Sequence, residues 1–280
     1  MLKKDGDSDR VLETAPSEWK EDKLFMVAAI EQNSYALQYA SDEIKNDKNI
    51  VMMAVKKSGY ALTYASIDLR NDKDIVMAAV SDSAIRGLEF ASDTLKNNKD
   101  IVMAAVEKDC YAFTHASAAL QKDDDVLQAA VRGGNLEVAT DELRNNKEHV
   151  IIAVKKNSNA LKFASDELKN DADVVTAAVG KLGAALRFAS DDLKDNKGIV
   201  MMAVKKAGFT LTHASDRLKN NLEVVMAAVT QDGRSLSYAS IEMKNNKEIV
   251  LVAVTQNSLA LQFASTELQK DPEVIAASKL

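Results

Sequence analysis

One cysteine, two prolines and an aromatic share of 5% are all that this chain of 280 residues holds of those residue types. Cys110 stands alone, which excludes an internal disulfide framework and a zinc site built on cysteines. A lone thiol also fits a reducing compartment. Pro16 and Pro272 lie near the two ends and the long stretch between them has none. That absence favours helices, because an interior proline removes a backbone bond and clashes with the preceding turn. With so few aromatics the core must be aliphatic and rich in alanine. The formal net charge is −6 with both signs interspersed, which argues against nonspecific nucleic-acid binding while leaving room for a local basic stripe. No apolar run approaches the roughly 18–20 residues that span a bilayer. Met1 to Arg10 is charged and lacks the apolar core of a secretory signal, so a cytoplasmic protein is expected.

What the chain does have is a repeat. Ala-Ser recurs at Ala40, Ala65, Ala91, Ala116, Ala164, Ala189, Ala214, Ala239 and Ala264, and Ala139-Thr140 fills the gap. The spacings are 25, 26, 25 and 23 residues, then five of 25. Self-similarity at such a period is the mark of a stacked array. Counting each unit from the Asp or Asn that opens it, Asp47 to Asn71 is a standard unit, and ten units fill 22–270. The segment 10–21 aligns with the second half of a unit, placing Trp19 where Leu69 stands, and 271–280 repeats a unit's opening. Terminal units must cover the last core face, and Trp19 is suited to be that lid. The expected organisation is a flexible tail over 1–9 and a single array over 10–280.

Each unit reads as two helices. The first covers positions 2 to 11, as in Lys73 to Asp82, with the opening Asp or Asn as N-cap. Pro272 falls on the first helical position, where its missing N–H costs nothing. The helix ends at Gly or Ser at position 13 (Gly59, Gly183, Gly208, Gly233, Ser34, Ser158, Ser258), and Gly there suits a left-handed residue closing it. The second helix is expected from about position 14 to 24, kinked near the serine of position 20, which also resembles a new N-cap. The fold class is therefore all-α: a right-handed α-solenoid of about ten 25-residue two-helix repeats with half-repeats at both ends.

On a helical wheel, positions 4, 5, 8 and 9 share one arc, for example Ile75, Val76, Ala79 and Val80. Position 8 is alanine in all ten units, which a close helix contact explains. Position 6 is often methionine (Met52, Met77, Met103, Met201, Met226) and reads as packing between repeats, the rival being a methionine-lined groove. In the second helix the buried arc holds Leu62, Ala65, Ser66 and Leu69, with aromatic or similar residues flanking it at position 18.

The run from Asn246 to Leu268, NKEIVLVAVTQNSLALQFASTEL, resembles the tandem repeat of the domain of unknown function 4116. The resemblance covers 22–270 and departs from the pattern in the 23-residue and 26-residue units. It implies no activity and no functional residue.

No chemistry emerges from the reactive side chains. His115 and His213 occupy position 18 and His149 a core position, and no pair has metal-ligand spacing on one helix. Cys110 has no base or positive charge beside it. The Asp/Asn clusters lack the spacing of a calcium loop, and Gly133-Gly134 lacks the lysine of a phosphate loop. Paired lysines at Lys56, Lys155 and Lys205 form an interrupted row that favours helix ends over an anion-binding ridge. No enzyme, cofactor, metal, small-molecule ligand or membrane partner is expected.

Position 14 is the candidate site. It lies on the solvent arc yet carries Tyr35, Tyr60, Tyr111, Phe209 and Leu259, beside the variable position 17 with Gln38, Thr63 and Thr114. A column of exposed apolar residues is an economical protein-binding surface, though such residues also fold back over a turn. The expectation is a non-catalytic interaction scaffold with a protein partner. A nucleic-acid-binding helical repeat is the alternative, and an enzyme with an unrecognised site a more distant one.

Overall fold

The computed structural model describes residues 12–279. The 1–9 tail, Arg10 and Val11 of the first half-repeat, and Leu280 lie outside the described residues. The chain divides into two compact units, one ending at Gly133 and the other beginning at Gly134. Each is an all-α stack of repeats, and no strand occurs among the described residues. No described helix is long and apolar enough to cross a membrane.

A standard repeat has three elements rather than two. A ten-residue α-helix (Lys48–Lys57) leads to a 3₁₀-helix (Gly59–Tyr64) and then to a short α-helix (Ile67–Arg70). The first helix has the predicted bounds, since Lys73–Asp82 is helical. The opening Asp or Asn accepts backbone N–H bonds in every repeat, as Asp47 does from Asn49 and Ile50. Pro272 begins its helix as expected.

The expected single second helix is broken by extended backbone. Ala65 has φ −69° and ψ 156°, and Ser66 has φ −58° and ψ 160°. The serine gains more outside a helix than within one. Its hydroxyl caps the N–H of Leu69 at 3.2 Å and donates to Asn46 Oδ1 of the preceding repeat at 2.6 Å. Its N–H donates to the Lys45 carbonyl at 2.9 Å. The same rung recurs at Ser92, Ser117, Ser165, Ser190, Ser240 and Ser265, with hydroxyl distances of 2.5–2.7 Å.

Glycine at position 13 is not left-handed, which corrects the expected C-terminal cap. Gly134, at φ 104°, is the positive-φ glycine among the described residues. The reason for glycine lies in the neighbouring repeat. A Cβ on Gly59 would stand 2.4 Å from the Ala79 carbonyl oxygen, and one on Gly233 would stand 2.2 Å from that of Ala253. Position 8 is small for the same contact, and Ala79 is fully buried with Ile75 and Val76.

The irregular repeats follow from helix geometry. In the 26-residue unit the 3₁₀ segment becomes an α-helix, Ala84–Glu89, capped by Phe90 in the αR region. Six residues of 3₁₀-helix make two turns, and seven of α-helix make nearly the same rotation. The added residue thus keeps Leu88 in the core, where Leu62 sits one repeat earlier. In the 23-residue unit the 3₁₀ segment shrinks to Leu136–Val138.

A second ladder joins the repeats through charge. Lys48 reaches Asp72 at 2.8 Å and Asp74 at 3.0 Å, and Lys147 reaches Asp171 at 2.8 Å and Asp173 at 2.7 Å. Lys57 and Lys108 instead donate to main-chain carbonyls of the preceding repeat, those of Glu31 and Ser81. Trp19 covers less than a full lid would: its ring lies 5.2 Å from that of Phe25, tilted by 47°, and the residue remains 46% exposed.

Candidate interaction surface

The backbone at position 14 is pinned before its side chain emerges. Asn33 accepts the N–H of Tyr35 at 3.0 Å, Asp109 that of Tyr111 at 2.9 Å, and Asn257 that of Leu259 at 3.0 Å. The Asn or Asp at position 12 thereby caps the 3₁₀-helix and fixes where the next side chain leaves it.

The five candidates do not share one environment. Tyr35, Tyr111, Phe209 and Leu259 are exposed by 41%, 46%, 44% and 60%. Tyr60 is half-buried. Its ring lies 5.5 Å from Tyr35, 6.0 Å from Tyr64 and 5.3 Å from Phe90, and the Arg86 guanidinium stands 5.7 Å from its centroid. In the first unit Tyr35 and Tyr60 therefore touch across successive repeats. In the second, Phe209 and Leu259 are separated by the repeat carrying Arg234. Of their polar neighbours, Gln38 and Thr63 are half-buried and Thr114 is exposed, donating to the Tyr111 carbonyl at 2.9 Å.

The titratable groups are occupied in holding the repeats together. Asp123, Asp171 and Asp271 lie below the usual carboxylate range, held chiefly by hydrogen bonds from Lys99, Lys147 and Lys247. Burial pushes the His213 imidazole down, with help from Arg187, Lys194 and Lys219. Cys110 is buried against Gly133, where an added Cβ would lie 2.4 Å from its own Cβ. Among the described residues, no group of three or more His, Cys, Asp or Glu side chains could hold a metal ion.

A second feature was legible only as the rival reading of the methionines. Between the helices Lys197–Lys206 and Leu222–Gln231 lies an open groove of about 770 Å³. Half-buried Met201, Met226 and Ala227 line it together with exposed Leu222. Lys197, Lys205, Glu223 and Glu248 supply charge at its edges. Methionine spacing alone could not separate a stripe packed between repeats from one left partly open to solvent.

The family model described as a domain of unknown function (DUF4116) matches ten overlapping segments: residues 1–45, 22–70, 47–85, 86–121, 98–144, 119–169, 146–194, 171–219, 196–244 and 221–269. Most of these segments span about two of the repeats described above. Neither the curated proteins nor the solved structures contain a match to the chain.

Proposed function

We propose that this chain, which belongs to the DUF4116 family, is a cytoplasmic, non-catalytic scaffold that binds protein through side chains displayed at fixed places on its repeats. The observation that carries the reading is the exposure of Tyr35, Tyr111, Phe209 and Leu259, which occupy the same register of four non-adjacent repeats. Large apolar side chains standing in water gain free energy when a partner covers them, and aromatic anchors dominate such contacts. The Asn and Asp caps hold the backbone beneath Tyr35, Tyr111 and Leu259, so little order has to be imposed on binding. Several weak anchors on one chain then sum to useful affinity.

The test is affinity capture from lysate with the wild type beside a Tyr111→Ala, Phe209→Ala, Leu259→Ala variant, both checked for helicity by circular dichroism. Tyr60 is left intact because its ring packs against three others. Proteins retained by the wild type and lost by the folded variant support the proposal. Identical capture by both sinks it.

A further inference from the structure

The lysine ladder has an irregularity in the second unit that its own logic does not explain. Lysine at position 2 of one repeat pairs with the acid at position 3 of the next: Lys147 with Asp173, Lys197 with Glu223, and Lys247 with Glu273. Where Ala172 replaces the lysine, the next repeat carries Gly198, so cation and anion vanish together. Where Leu222 replaces it, the acid stays as Glu248. Leu222 is 47% exposed, and among the described residues Glu248 makes no ion pair. Both line the groove that holds Met201 and Met226. Lys205, at the C-terminal end of the helix Lys197–Lys206, is likewise without an ion pair among the described residues and lines the same groove.

We infer that this groove is a docking site for an amphipathic helix of another protein, one with a basic side chain at the end facing Glu248 and an acidic one at the end facing Lys205. The chemistry of the walls selects a helix. They are the sides of α-helices, whose main-chain groups are bonded internally, so they offer no ladder to an extended peptide. A segment that satisfies its own backbone and lays an apolar stripe between two helices meets that surface on its own terms. The methionines adapt to the shape of the stripe. The replaced lysine leaves both an apolar contact and an uncompensated carboxylate for a partner's cation. This surface is distinct from the position-14 side chains.

The full chain is used as bait for a displayed library of helical peptides randomised on one face, with counter-selection on Leu222→Lys. That substitution installs the residue most other repeats carry at this position and pairs Glu248 internally. Enriched peptides should combine an apolar stripe with a cation and an anion at opposite ends. By fluorescence anisotropy they should bind about tenfold more weakly to Leu222→Lys and to Glu248→Gln, and equally well to Phe209→Ala. Charge-swapped peptides should be rejected by the wild type and accepted by Glu248→Lys. The inference is overturned by any of four results: no enrichment over Leu222→Lys, peptides without the charge pattern, binding lost in Phe209→Ala, or a wild-type dimer in light scattering that Leu222→Lys abolishes.

Discussion

Alanine at position 8 and glycine at position 13 answer one steric demand, the approach of the main chain of one repeat to the carbonyl of the next. Gly233 and Gly180 separate that demand from ordinary helix propensity. A Cβ on Gly233 would overlap the Ala253 carbonyl oxygen, which belongs to a packed helix and cannot swing aside. Gly233→Ala should destabilise the fold by about 2 kcal/mol or more. Gly180 lies inside the helix Ala172–Lys181, and an added Cβ meets only the Met202 sulfur at 3.8 Å. Gly180→Ala should stabilise by about 0.5–1 kcal/mol through backbone entropy. Urea titrations of the two variants measure both, and a destabilised Gly180→Ala would refute the argument. The caps at Asp47, Asn146 and Asp271 were readable from sequence because a cap acts within four residues. The role of Gly233 was not, because the atom that demands glycine is twenty residues away.

Among the elements, the stretch after the first helix is the one most shaped by its neighbours. Sequence marks Ser66 as a possible cap but cannot show that Asn46 and Lys45 of the previous repeat wait to bond it. Those bonds decide for extended backbone. The preceding segment is 3₁₀ where six residues must make two turns, and α where seven do. Deleting Arg86 from the helix Ala84–Glu89 should therefore return it to the standard form at a cost within about 2 kcal/mol. Deleting Met77 from the helix Lys73–Asp82 rotates the following residues by about 100° and carries Ala79 and Val80 out of the core. Thermal unfolding by circular dichroism should show a cooperative transition for the first deletion and its loss for the second. Equal damage from both would refute the rotation argument.

At the scale of the whole molecule, the lysine ladder makes stability depend on acid in a direction that can be worked out. Asp123, Asp171 and Asp271 are held below the usual carboxylate range, chiefly by their lysines. A carboxylate depressed in the folded state stabilises that state above its unfolded value and loses the contribution as pH falls through the folded value. The melting temperature should thus drop as pH falls below about 4. Lys147→Met should flatten part of that dependence, since Asp171 and Asp173 lose their cation. Melting curves from pH 2 to 7 test this, and an unchanged slope in the variant would refute it. The ladder's participants were visible as recurring residue types, whereas its interruption at Leu222 gained meaning only when Glu248 and the methionines were found in one groove.

The serine rung gives the two faces of a repeat unlike roles. Where the rung is present, a repeat donates backward, from the hydroxyl and N–H of its serine, and accepts forward, at its closing Asn and the carbonyl before it. At these junctions the same few atoms meet, so one regular repeat offers the next the same set of partners. A gene segment encoding 25 residues can be duplicated or lost by unequal exchange without a new interface having to be invented. Side chains at exposed positions such as 14 can then change while copy number changes independently, so the length of the array and the character of its surface are separately heritable.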